Sequence, residues 1–135
     1  MKDIQNYVAE AESVCLYAEG NSTTYASDTA EFAVVLQAWN AMTAQAIQMP
    51  AFGVSIDRLT REELRHGYWA EFVFPSAHVC AGMPFERLLF KIEPDYRGIN
   101  LVRCNGGKYE GRCYYLDLRE GDMKAFSAAV QPYAG

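Results

Sequence analysis

The chain has 135 residues, half of them hydrophobic and 21% charged, with 17 acids against 12 bases and a net charge of −5. This length suits a single α+β domain over residues 1–135, with a core large enough to fold without staples, and the composition excludes disorder as the default. A mildly acidic chain lacks the clustered Lys and Arg that phosphate neutralisation requires, so no nucleic-acid partner is expected; no apolar run reaches the roughly 18 residues of a membrane span.

The start, MKDIQNYVAEAE, carries acids where a secretory leader would be apolar. Cys15, Cys80, Cys104 and Cys113 are then expected as free thiols in a reducing cytoplasm. Ile4, Tyr7, Val8, Ala11, Val14, Cys15 and Ala18 recur at three- and four-residue steps, with Gly20 where a C-terminal cap belongs, and predict a first helix. The polar stretch GNSTTYAS (20–27) reads as a loop. A second helix follows on the stripe Phe32, Val35, Leu36, Trp39, Met42, Thr43 and Ala46. Asp28 with Glu31 resembles a capping box, Ser27 offers an alternative cap, and Pro50 ends the run.

After AFGVSI, the segment DRLTREELRHG predicts a short third helix, with Thr60 and Glu63 as its box, Leu59 and Leu64 at the staple positions and Gly67 as its stop. The period then changes. Four segments, 67–74, 87–93, 98–104 and 109–118, are aromatic and β-branched and predict a four-stranded antiparallel meander. Between the first two lies an eleven-residue loop, PSAHVCAGMPF (75–85), and GDMKAFSAAVQPY closes the chain as a helix. The helices are expected against one sheet face.

In the hairpin around NGG, a turn at Asn105-Gly106 would oppose Arg103 and Lys108, whereas a turn at Gly106-Gly107 opposes Arg103 and Glu110, Cys104 and Tyr109, and Ile99 and Tyr114. The second register is favoured on charge. It sends Ile99, Leu101, Tyr114, Leu116 and Leu118 to the core and leaves a second face bearing Trp69, Glu71, Lys91, Asn100, Tyr109, Tyr115 and Asp117. Large amphipathic rings among charges are typical of recognition surfaces, although an antiparallel sheet also commonly leaves one face to water. No basic residue lies between positions 3 and 57, where Glu10, Glu12 and Glu19 add to an acidic field suited to a basic protein partner.

Catalytic signals are sparse. His78 and Cys80 could meet in the 75–85 loop, but no oxyanion-hole motif accompanies them. The cysteines and two histidines lack zinc spacing, and no glycine loop opens a helix to cradle phosphate, so neither metal nor cofactor is expected. Glu62 and Glu63 point to different sides of their helix. The sequence therefore reads as a small acidic binding or inhibitory module of the regulatory, immunity or phage and plasmid anti-defence type, with self-association through the aromatic face as a further outcome. The competing reading is a small-molecule-binding or thiol-dependent enzymatic domain with the 75–85 loop as lid, using His78, Cys80, Glu71 and Asp117.

Overall fold

The computed structural model describes residues 2–135. A 3-10 helix, Ile4–Glu10, leads into strands β1 (Ser13–Ala18) and β2 (Asn21–Ala26), then helix α1 (Ala30–Thr43). β3 (Ile47–Met49), β4 (Val54–Ser55) and α2 (Asp57–Glu63) precede the long hairpin of β5 (Tyr68–Cys80) and β6 (Met83–Lys91). β7 (Gly98–Cys104), β8 (Gly111–Arg112), β9 (Tyr114–Asp117), α3 (Lys124–Val130) and a 3-10 turn, Gln131–Tyr133, complete the chain. The main sheet has seven strands in the order β2-β1-β5-β6-β7-β9-β3, all antiparallel, and β4 with β8 forms a separate two-stranded ribbon.

The four-stranded meander with two N-terminal helices is thus corrected. Residues 13–18 form a strand inserted between β2 and β5. Val14 and Leu16 face the core while Cys15 and Tyr17 face the other side, so a strand buried on both faces gave an apolar run that also fits helical spacing. The stretch expected to be a loop, 20–27, is largely the outer strand β2, polar because it lies at the sheet edge. The 75–85 loop is the far end of the β5–β6 hairpin, bent by an irregularity between Val73 and His78.

Turn chemistry explains why these hairpins were hidden. The β1–β2 and β5–β6 connections are two-residue turns, Glu19-Gly20 (φ 51° and 88°) and Ala81-Gly82 (φ 51° and 75°). Such turns ordinarily announce themselves as Asn-Gly or Asp-Gly, since both central residues need positive φ. Glu and Ala in the first position carry no such signal.

α1 forms where expected, but Thr29 caps it, its hydroxyl accepting from Phe32 N at 3.1 Å, rather than Asp28 or Ser27. It ends at Thr43, before Ala46 and Pro50. α2 begins at Asp57, three residues before Thr60, which is buried inside it; the Thr60–Glu63 box is absent. α1 and α3 cover one sheet face. There Trp39 sits edge-on to Phe72 and tilted against Phe90, with centroids 5.4 and 5.2 Å away, and Phe90 meets Phe126 of α3 at 5.6 Å. The Trp39 indole N–H donates to Gln5 O at 3.0 Å, which ties the N-terminal 3-10 helix to the core. α2 lies on the opposite side, so the helices do not share a face.

The NGG turn does reverse at Gly106 (φ 60°) and Gly107 (φ 77°), with Asn105 opposite Lys108. The returning arm then leaves β7: Gly111 and Arg112 pair with β4 instead. Tyr114 consequently faces Leu101 rather than Ile99. Arg103 donates to the carbonyls of Arg112 (2.6 Å) and Pro84 (2.7 Å) instead of meeting Glu110. Because the displacement is by two residues, each side chain stays on its expected face. Left-handed backbone at a residue with a Cβ costs about 1–2 kcal/mol. Replacing Ala81→Gly removes that cost at the β5–β6 turn and should raise the unfolding free energy by up to about 1 kcal/mol after the glycine's greater chain entropy is counted, read by chemical denaturation.

Candidate functional site: the second sheet face

On the face away from α1 and α3, the strand order brings side chains from distant parts of the sequence into one transverse row. Met49 is opposite Tyr115, Tyr115 opposite Asn100, Lys91 opposite Trp69, and Trp69 opposite Tyr17. The Leu89–Val102 register, carried two residues on, sets Lys91 beside Asn100. Four of the residues named from sequence, Trp69, Lys91, Asn100 and Tyr115, therefore stand side by side across four adjacent strands.

They line a groove of about 460 Å³ with Glu63 of α2 and with Tyr96 and Arg97 from the β6–β7 connection. Lys91 pairs with Glu93 at 2.8 Å and lies 6.0 Å from the Trp69 ring centroid. Trp69 is nearly buried and its indole N–H donates to His66 O at 2.8 Å, so it shapes the groove rather than projecting from it. The hydroxyl end of the Tyr115 ring lies against Gly98, where a Cβ would collide with it, and Phe52 packs tilted against the same ring with centroids 5.7 Å apart. Tyr115 and Asp117 are half-buried, Asp117 beside Ile47 in the next row.

The other half of this face is closed. The returning arm of the 105–112 hairpin and α2 cover Leu89, Val102, Cys104 and Cys113. Glu71 is fully buried here and receives hydrogen bonds from the hydroxyls of Tyr17 (3.1 Å) and Tyr109, with the Arg87 guanidinium 3.6 Å away. Burial, and then the adjacent Glu71 charge, push both phenols well above their ordinary range, so they remain donors. Glu71 and Tyr109 thus belong to the closed half and not to the accessible row. Tyr109 is further held by its N–H donating to Asp57 (2.8 Å), by Ser55 donating to its carbonyl (3.0 Å) and by Arg61 stacked 5.1 Å from its ring.

The acids expected on one helix are dispersed. Glu10 ends the 3-10 helix, paired with Lys2 and, at 3.4 Å, with His78; Glu12 precedes β1 and Glu19 turns its far end. A six-residue strand, about 20 Å long, separates the last two. His78 and Cys80 lie on β5. The His78 ring contacts Ser76 O (2.9 Å), Glu10 and the rings of Phe74 and Phe85, while Cys80 is buried near Gln48, its thiol pushed up by burial. A thiolate nucleophile needs the opposite shift. Among the described residues, no cluster of three or more His, Cys, Asp or Glu is placed to hold a metal ion.

Sequence reasoning missed Tyr17 and Arg87 around Glu71, and Tyr96 and Arg97 in the groove. It also passed over the segment from Ile47 to Leu59, which supplies six of the nine large hydrophobic side chains exposed among the described residues. The available signal was the apolar alternation of Phe52, Val54 and Ile56 in a stretch without charge. Comparison of the chain with family models, with curated proteins and with solved structures finds no match.

The Tyr109 N–H, then Arg61, hold the Asp57 carboxyl below its ordinary range. A depressed folded-state value contributes stability that is full above the unfolded value of about 3.9 and is lost as pH falls through the folded value. Melting temperatures of wild type and Asp57→Asn should therefore differ at neutral pH and converge as pH falls below about 4. Curves that stay parallel would show that Asp57 does not hold the hairpin.

Proposed function

We propose that this chain is a small, non-catalytic protein-binding module of inhibitory or regulatory type, and that its partner docks on the open half of the second sheet face. The observation that carries this reading is the row Tyr115, Asn100, Lys91 and Trp69, borne on adjacent antiparallel strands and flanked by Tyr96 and Arg97. Rigid strands preorganise these large amphipathic side chains, so little rotamer and backbone entropy is lost when a partner orders them. Glu10, Glu12 and Glu19 act at longer range, as part of an acidic field that attracts a basic partner and hastens encounter. The unpaired thiols of Cys15, Cys80, Cys104 and Cys113 support a reducing, cytoplasmic setting. No helix among the described residues is long and apolar enough to cross a membrane.

The groove volume also falls within the roughly 300–1,000 Å³ of small-molecule sites, which favours ligand binding as a second reading. The two separate on what stabilises the purified chain: a small ligand raises its melting temperature with no protein partner present.

Immobilised wild type should capture a specific partner whose affinity falls at least about tenfold when Lys91→Ala, Asn100→Ala and Tyr115→Ala are combined. Trp69 is left intact because its indole is part of the fold. Charge reversal at Glu10, Glu12 and Glu19 should slow association at low salt with little change in dissociation. Capture unaffected by the groove substitutions would overturn the reading.

A further inference from the structure

Beyond the groove, we infer that two copies of this chain pair through the free edge of β3, joining their seven-stranded sheets into one around a two-fold axis at Gln48. Among the described residues, β3 ends the sheet and has a strand neighbour on one side only, β9. Its side chains alternate. Gln48 points toward the N-terminal 3-10 helix, its Oε1 accepting from Ile4 N at 2.8 Å, while Ile47 and Met49 lie on the second face, exposed, beside Asp117 and Tyr115.

Further exposed apolar side chains follow this edge along the chain. Phe52 packs on Tyr115, and Val54, Ile56 and Leu59 line one shallow hollow of about 230 Å³ over Asn100 and Val102. Phe52 and Val54 are 69% and 70% exposed, which no folding requirement explains. Together the six side chains leave on the order of 600 Å² open per copy, at the top of the range for the largest patch on a monomer. Complete cover of this patch in both copies would bury at most about 1,200 Å², the lower bound for a stable interface.

Three features select a second copy as the occupant. Residues 47–56, IQMPAFGVSI, carry no charge, so they neither steer a charged partner nor repel a like copy. Antiparallel pairing centred on Gln48 sets Ile47 against Met49 of the second copy on one face and Gln48 against Gln48 on the other, so the edge is complementary to itself. The opposite edge, β2, offers Asn21, Ser22, Thr23 and Thr24, a polar strand unsuited to receiving β3. Pairing of β3 with β3 therefore closes as a dimer instead of growing head to tail. Pro50, directly after β3, limits the paired length, leaving most of the attraction to the flanking side chains.

Sedimentation equilibrium of the full chain, from low micromolar concentration upward, should give twice the 15.2 kDa monomer mass. Ile47→Lys with Met49→Lys should raise the dissociation constant at least about a hundredfold while leaving circular dichroism unchanged, since both side chains are exposed. Thr23→Lys on the other edge, and Lys91→Ala with Arg97→Ala in the groove, should leave the dimer intact, which separates this interface from partner docking. Hydrogen exchange of wild type gives a readout independent of any variant: those β3 amides that point away from β9 should slow as concentration rises. A mass of 15.2 kDa throughout, open-ended growth, a dimer indifferent to the two lysines, or concentration-independent exchange at β3 would each overturn the inference.

Discussion

Glu71 sits at the centre of a sheet face with no exposure to water, and the shape of that face follows from how its carboxyl group is satisfied. A buried charge-bearing group is tolerated only when partners replace its water, and removing one partner from such a site typically costs about 3–5 kcal/mol. Tyr17 supplies one donor from β1. The other comes from Tyr109, which can reach Glu71 only because the chain, having turned at Gly106-Gly107, peels away from β7 and folds back across the face. The departure of this arm, the pairing of β8 with β4 and the seat of α2 all accompany the delivery of this one hydroxyl to Glu71. Together they close one half of the face and leave the other open.

The open half has a different character. Its floor is strand backbone, and its side chains come from β5, β6, β7 and β9, which are held on their other face by the aromatic packing around Trp39. Gly98 has a specific part here, since a Cβ at that position would meet the Tyr115 hydroxyl and displace the ring from its place against β7. The groove is therefore preformed, as is usual where specificity rests on a few well-placed groups. At its margin the uncharged segment from Ile47 to Leu59 exposes apolar surface on the same side of the molecule, continuous with Tyr115 through Phe52. A charged, aromatic groove beside an apolar edge gives the face two chemistries. The proposed partner would use the first, the proposed second copy the other.

Much of this was legible where a side-chain period met a single environment. α1 declared itself through Phe32, Val35 and Trp39, and the alternation in β5, β6, β7 and β9 sorted Phe72, Leu88, Ile99, Leu101 and Leu116 from Trp69, Glu71, Lys91, Asn100 and Tyr115 correctly by face. The lateral order was not legible, because it depends on β1 inserting beside β5 and on β3 joining β9, pairings set by tertiary contact. β1 was hidden because burial on both sides makes Val14, Cys15, Leu16 and Tyr17 uniformly apolar, and the turns at Glu19-Gly20 and Ala81-Gly82 lack their usual residues. Glu71 read as an exposed acid because alternation reports which side a residue faces, not what lies above it.

The division of the face rests on Glu71 holding the hairpin, and native-state hydrogen exchange in Glu71→Gln examines this most directly. The amides of Gly106, Lys108 and Tyr109, each bonded in the wild-type hairpin, should lose protection together, while those of α1 and of the β5–β6 ladder keep theirs. Hairpin protection equal to wild type, or a uniform loss across the whole sheet, would contradict the account.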